Sequence, residues 1–547
     1  MRTRAVQHRN TSQLQSSIYK MQSHTTQPVT QKKRYGIAKM ALQLQDISIV
    51  APGFKGINTE DSPLAQEASF ADVADNTIID RSGRMSSRKG RTLLTTTDTE
   101  LNNQPVNAIG KYKDDAGNAK LFFVGNNKIL SGAVTIVDET PGAYTITADE
   151  WKIVNFNDNL YFFQSAHEPL VYNNALGAVT KMSSIAGSVG VTSAMYGNEV
   201  IGAWGRLWTA NMAADKSTIY WSDLQLGAKW SGGSSGSIDI SDSWPDGHDE
   251  IVGLAAHNSL LIIFGRHSIV TYSGADSPST MAIQDTITGV GCVGRDSIQY
   301  TGIDLLFLSD TGLRSLGRTI QEKSMPLTER SLHVKTQMTA YIQTETLAYR
   351  AVYSPENGFY LLHFQDIGVT YCFDLRGELD DGSYRVTRWT GTIFDSFFRD
   401  KDDGTLYMGT TEGICTYSGY TDNGAKYRFR YSSPSLSFGD SSRLKFLKKI
   451  KPTLVGGNGE TAIVSWAYDF AQTKAFASFP VGNESTAFYG IDEYNIAEYN
   501  SGALATRKSI NANGSGEVIA ISFEIDITGF PVSLQELNIL ATIGKVT

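Results

Sequence analysis

The sequence predicts an all-β fold: a β-propeller of about seven blades, with an N-terminal extended arm before it and a C-terminal β-sandwich-like region after it. Three observations lead there. Hairpin-like units recur through the middle of the chain at blade spacing, the composition favours short strands and tight turns, and the recurrence stops at about residue 426, where strands follow one another at shorter intervals.

Seven units carry the recurrence: AKLFFVGNNKILSG (119–132), DNLYFFQSAHEPLVYN (158–173), GRLWTANMAADKSTIYWSD (205–223), NSLLIIFGRHSIVTYSG (258–274), IDLLFLSDTGLRSLGR (303–318), NGFYLLHFQDIGVTYCFD (357–374) and GTLYMGTTEGICTYSG (404–419). Each is an apolar or aromatic run, a polar turn, and a second run often ending in Tyr. Measured turn to turn from Asn126 through His167, Asp215, Arg266, Thr311 and Gln365 to Thr411, the spacing is 41 to 54 residues. Four-stranded propeller blades recur at that interval, and solenoid repeats are mostly shorter.

Composition agrees. The 547 residues exceed what one hydrophobic core serves, and 51 Gly with 25 Tyr and 24 Phe suit strands joined by turns. Four segments follow. Residues 1–39 are rich in Gln, Ser, Thr and basic residues, and read as disordered, as a stretch upstream of a natural start at Met40, or as a basic tail that contacts DNA. Residues 40–97 form an arm or docking segment with one helix expected over LAQEASFADVAD (64–75). The propeller occupies 98–425. Residues 426–547 form the C-terminal β-rich region, a sandwich or strands that complete the last blades.

Charge is uneven. The net charge is -8, yet residues 1–39 hold eight Lys or Arg and no acid, so the remainder is near -16. Broad phosphate binding depends on Lys and Arg displacing counterions, which an acidic body does not favour. Cys292, Cys372 and Cys415 are far apart, so neither a disulfide framework nor a zinc site is expected. No apolar run approaches a membrane span, and the first residues lack a secretory signal.

Catalytic constellations are weak. DGHDE (246–250), with Asp239 and Asp242, lacks the ligand order and closing Glu of a calcium loop. SDTG (309–312) is the nearest approach to a sialidase box and no Trp follows it, while GGSSGS (232–237) is not a nucleophile elbow and GGNGE (456–460) is not a phosphate loop. Trp204, Trp208, Trp221, Trp230 and Trp244 crowd one region, as a sugar platform or as blade packing. The expectation is no enzyme, no cofactor and no metal.

Residues 51–90, APGFKGINTEDSPLAQEASFADVADNTIIDRSGRMSSRKG, resemble the opening of the phage tail nozzle or tail tubular protein B family of short-tailed phages and related tail stabilisation proteins. Ala71, Asn76, Asp80, Gly83, Met85, Arg88 and Gly90 occupy its pattern. Residues 205–232, 238–274 and 291–331 resemble the middle of the same proteins. The resemblance implies a structural virion protein, assembled in the host cytoplasm: a ring, expected to be a hexamer, at the distal end of a phage tail. It would line and gate the DNA ejection channel, join the tail adaptor ring, neighbour the tail fibres and touch passing genomic DNA without sequence-specific contacts. Asn76, Asp80, Gly83, Arg84, Arg88 and Gly90 are the candidate assembly motif. The alternatives are a head-completion or stabilisation plug, and a receptor-binding tail protein with glycan-directed activity.

Overall fold

The structure is a computed structural model that describes residues 44–94, 99–142, 144–147, 150–317, 329–346, 348–482 and 505–546. The basic segment 1–39 and the proposed start at Met40 lie outside the described residues.

The apolar runs of the hairpin units are strands buried on both faces. In Asn159–Gln164, Leu160 and Phe162 pack towards the preceding blade while Tyr161 and Phe163 pack towards the following one. Successive side chains of a strand point to opposite faces, so an uninterrupted apolar run serves two neighbouring sheets. The same alternation places Leu261 and Ile263 in one inter-blade core and Ile262 and Phe264 in the next. Each such side chain, fully buried, contributes about 1.5–3 kcal/mol.

Six of the seven recurring units are the central strand pair of a sheet. Blade 1 runs from Val106 to Asp138, blade 2 from Trp151 to Lys181, blade 3 from Gly197 to Asp239 and blade 4 from Ile251 to Thr288; blade 5 runs from Tyr349 to Thr390 and blade 6 starts at Ser396. Between blades 4 and 5 the sector built on IDLLFLSDTGLRSLGR has three strands, Gln299–Tyr300, Leu305–Ser309 and Gly312–Ser315. The ring therefore has six full blades, one fewer than the hairpin count. The difference arises because the place of a fourth strand is taken by Glu329–Ser331, where the Arg330 N–H donates to Leu313 O at 3.0 Å and Glu329 pairs with buried Arg314 at 2.8 Å. Helix α1, Lys335–Thr344, follows and buries Met338 and Ile342, four residues apart. Its sequence, KTQMTAYIQT, offers little else that is apolar.

The arm departs furthest from expectation. Its strands are β1 (Leu44–Val50), β2 (Gly56–Ile57), β3 (Phe70–Ala71), β4 (Val73–Asp75), β5 (Thr77–Ile79), β6 (Met85–Ser87) and β7 (Arg91–Leu93). Residues 64–75 are turns and strands rather than a helix: β2 and β3 pair in parallel, and β4 is claimed by two strands remote in sequence. A 12-residue helix is marginal alone, so hydrogen bonding to fixed partners overrides its propensity. The arm packs into a core within its own chain. Strand β4 lies between the outer strand of blade 5 (Tyr384–Thr390, parallel) and Tyr427–Ser432 (antiparallel), which makes blade 5 and a C-terminal sheet one eleven-stranded sheet. Strands β1 and β6 pair with Val532–Val546 in an eight-stranded sheet, β5 pairs with β6, and β7 supplies the fourth strand of blade 6 through Leu93 opposite Cys415.

The C-terminal region has two facing sheets with a shared core. Leu447, Ile450, Leu454 and Ile539 of the eight-stranded sheet meet Phe429, Val464, Phe523 and Ile525 of the other, and Phe54, Ala74 and Met85 of the arm belong to the same cluster. Deletion of residues 44–93 is therefore expected to remove the cooperative unfolding transition of the whole chain rather than to release a folded propeller. Chemical denaturation followed by tryptophan fluorescence checks this.

Candidate functional site

The motif residues fall in two groups. Asp80, Gly83 and Arg84 build the turn between β5 and β6. The Asp80 carboxylate accepts from the Ser82 and Arg84 N–H groups at 2.8 and 2.9 Å and from Arg84 Nε at 2.7 Å. Gly83 has φ +72° and packs on Pro52, where a Cβ would lie 2.3 Å from the proline Cβ. This requires glycine on both counts.

Asn76, Arg88 and Gly90 meet where blade 5, blade 6 and the C-terminal sheet converge. Asn76 has φ 56°, a left-handed conformation that Asn tolerates better than most residues. Its N–H donates to Arg388 O at 2.6 Å and its Nδ2 to Arg428 O at 3.0 Å, while its Oδ1 accepts from the Thr390 N–H and from Arg88 Nε, both at 3.1 Å. Arg88 is 3% exposed and makes a bidentate pair with Asp422 at 2.8 and 2.6 Å. Its guanidinium also lies 4.2 Å from the centre of the Tyr427 ring, whose hydroxyl donates to Arg88 O. Gly90 approaches residues 419–421 so closely that a Cβ would stand 1.9 Å from Thr421 O. These polar groups are buried and mutually satisfied. Asn76, Arg88 and Gly90 thus lie at a largely internal junction, while Asp80 and Arg84 are half-buried on a turn beside exposed Arg81 and Ser82.

A cavity of about 370 Å³ opens beside the junction, lined by Asn76, Arg91, Asp422, Lys426, Arg428 and Arg430. Most of its charges have partners: Arg91 pairs with Glu412 and Arg428 with Asp526. That arrangement can hold strands together, and it offers no free acid–base pair.

A second polar centre lies on the ring axis. Lys152, Glu199 and Arg350 sit on the first strands of blades 2, 3 and 5, while Arg295 and Asp296 open the three-stranded sector. Arg295 donates to Trp151 O at 3.0 Å and to Asn198 Oδ1 at 2.9 Å. Asp296 receives Arg295 Nε at 2.9 Å and Arg350 Nη1 at 2.6 Å, and Arg350 comes within 3.8 Å of Glu150 ahead of blade 2. Blades 2 and 5 are not neighbours, so these side chains span the axis of the ring. Burial opposes its charge, but Arg295, Lys152 and Arg350 hold the Asp296 carboxyl below the ordinary range. Burial pushes Glu199 up against the pull of Lys152 and Arg295. With Glu150 at its edge, three cations meet three carboxyl groups, so each ion of the network has an opposite charge beside it. These five residues span about 200 positions and gave no local signal in the sequence.

Other singled-out residues are structural. The Asp249 carboxylate of DGHDE accepts from the Arg266 and His267 N–H groups at 2.9 Å each and from the Ser268 hydroxyl at 2.6 Å, which pins the blade 3 to blade 4 connection. The Ser309 hydroxyl of SDTG donates to Gly312 O within its own turn. Trp208, Trp221 and Trp244 pack between blades 3 and 4, with Trp204 edge-on to Trp208 at 5.9 Å, and Trp230 packs between blades 2 and 3. Cys292, Cys372 and Cys415 are buried and free. Among the described residues, no group of three or more His, Cys, Asp or Glu could hold a metal, and no helix is long and apolar enough to cross a membrane.

Two outcomes follow. Arg88→Ala removes a buried guanidinium and leaves the partly buried Asp422 without its partner, and is expected to destabilise the chain by about 3 kcal/mol in chemical denaturation, with Arg88→Lys recovering only part. Asp395, between blades 5 and 6, accepts from Gln365 Nε2 at 2.7 Å, and burial pushes its carboxyl up to about 6. Because that value is raised on folding, the group favours the fold below the unfolded pKa, and this advantage is lost as pH rises through about 6. Asp395→Asn should therefore be more stable than the parent at pH 8, by on the order of 2 kcal/mol, with the difference vanishing in acid; thermal melts across pH measure it.

No family model matches the chain. No curated protein matches it. Among solved structures, it is similar to the Pan2 WD40 domain of Neurospora crassa, at 10% identity over 60% of this chain and 95% of that one, with a TM-score of 0.34. It is also similar to Raptor of Chaetomium thermophilum, at 11% identity over 61% of this chain and 29% of that one, with a TM-score of 0.37. At these scores neither likeness bears on what the chain does.

Proposed function

We propose that this chain is a structural subunit of a bacteriophage tail, one protomer of a distal nozzle ring that lines and gates the DNA ejection channel and joins the tail adaptor. One observation carries the reading: the stretch that resembles the tail family, 51–90, is the stretch whose strands run through the eleven-stranded and eight-stranded sheets and lead directly into β7 of blade 6. A part that bears load from DNA under pressure needs its modules joined by hydrogen-bonded strands rather than by a linker. In this reading the channel wall is the outside of the propeller, because charged side chains cross its own axis. DNA then passes beside each propeller, through the centre of the ring of subunits. The role is one of assembly and gating, with no catalytic step.

Negative-stain electron microscopy of the purified full chain, alone and with its candidate tail adaptor, is expected to show rings with sixfold rotational symmetry. Monomers or elongated trimers under both conditions would overturn the nozzle reading in favour of a receptor-binding protein, for which a glycan-cleavage assay should then be positive.

A further inference from the structure

The acidic excess is confined to one part of the chain. Residues 98–425 carry 38 Asp and Glu against 22 Lys and Arg, whereas 426–547 carry 11 against 12. The C-terminal cations are also grouped. On Arg443–Gly456 the residues Leu447, Ile450 and Leu454 turn into the core between the sheets, so Lys449 and Lys451 stand on the outer face of the eight-stranded sheet, about 7 Å apart by strand geometry. A register shift between Leu447 and Lys449 brings Lys448 out beside them, and Arg507 and Lys508 adjoin the same strand. Lys448, Lys449, Lys451 and Lys508 make no ion pair among the described residues, whereas most Lys and Arg of the propeller do.

We propose that this basic sheet face is the surface on which the acidic propeller of a second copy of the chain docks, head to tail. The matching surface is the run of exposed turns across blades 6, 1 and 2, with Asp402 and Asp403, Asp115 and Asp158. These turns are already tied together: Lys113 pairs with Asp402 at 2.7 Å, and the Asp115 N–H donates to Asp158 Oδ1 at 2.8 Å. Leu44, 57% exposed on β1, lies on the same sheet two strands away, opposite Thr542 and through it Phe446, while Asp46 of β1 is in line with Lys449. A face on one module that complements a different module gives a heterologous contact, and such contacts close into rings where the rotation between copies closes and extend into filaments where it does not. The inference rests on the ring reading and names the interface that builds it. Complementary charge of this kind orients subunits and suppresses wrong pairings, and salt weakens it.

The test uses the full chain with Lys449→Glu, Lys451→Glu and Lys508→Glu combined, examined by sedimentation and negative stain at low and high salt. Thermal melts confirm that the variant is folded. The expected result is parental assembly that weakens with salt, and self-association at least about tenfold weaker in the variant. Asp115→Lys with Asp403→Lys should weaken assembly alone and restore part of it when combined with the first set. A parent that stays monomeric under every condition overturns the ring reading and this interface with it. Rings that form equally well in the folded variant overturn this interface alone. If the variant keeps its rings but loses binding to a short DNA duplex, the face belongs to nucleic acid and the inference fails.

Discussion

The structure depends on the backbone hydrogen bonding of residues 73–93 to strands more than 300 positions away. Strand β4 satisfies the outer edge of blade 5 on one side and the edge of Tyr427–Ser432 on the other. Strand β7 covers the last open edge of blade 6. Exposed strand edges are sites of unwanted pairing, and a ring of sheets leaves one wherever a fourth strand is missing. With β7 as the fourth strand of blade 6 and β4 as a fifth strand on blade 5, one short stretch covers both edges and joins the propeller to the C-terminal sheets.

The buried polar groups of the junction follow from that threading. Chain crossing from one sheet to the next must turn, and at each turn backbone donors and acceptors leave their ladders inside the protein. Asn76 meets three of these groups, Arg388 O, Arg428 O and the Thr390 N–H, at one point, and Arg88, which donates Nε to Asn76 Oδ1, fills the space with a charge that Asp422 balances. Polar groups buried in this way cost little when satisfied and a great deal when not, which makes the junction specific as well as stable. The axial network works by the same logic: Arg295 and Asp296 take up backbone and side-chain groups that the first strands of the blades point at one another.

The propeller and the C-terminal sheets differ in surface charge although they share hydrogen-bonded strands. Self-repulsion favours keeping acidic propellers apart unless a basic surface lies between them. The lysines of the outer sheet face are placed for that role, and the rigid connection through β4 fixes the angle at which each basic face is presented.

The hairpin pattern of the sequence located the central strands of the blades. Apolar runs such as LYFFQ and LLIIF, buried on both sides, can only be central strands, and their spacing sets the blade period; the turn between Asn126 and Asn127 marks a hairpin because both residues adopt positive φ. The change of rhythm after residue 426 likewise located most C-terminal strands. Tertiary structure alone decided the rest. Strands of two or three residues, such as β4 and β7, have no period to read and owe their conformation to their partners. The count of six full blades depended on Glu329–Ser331 occupying a strand position through the Arg330 N–H to Leu313 O and Leu313 N–H to Ser331 Oγ hydrogen bonds and the Glu329–Arg314 ion pair. Asp296 and Arg350 are 54 positions apart and Arg88 and Asp422 are 334 apart, and no local pattern encodes a contact that exists only once the ring has closed.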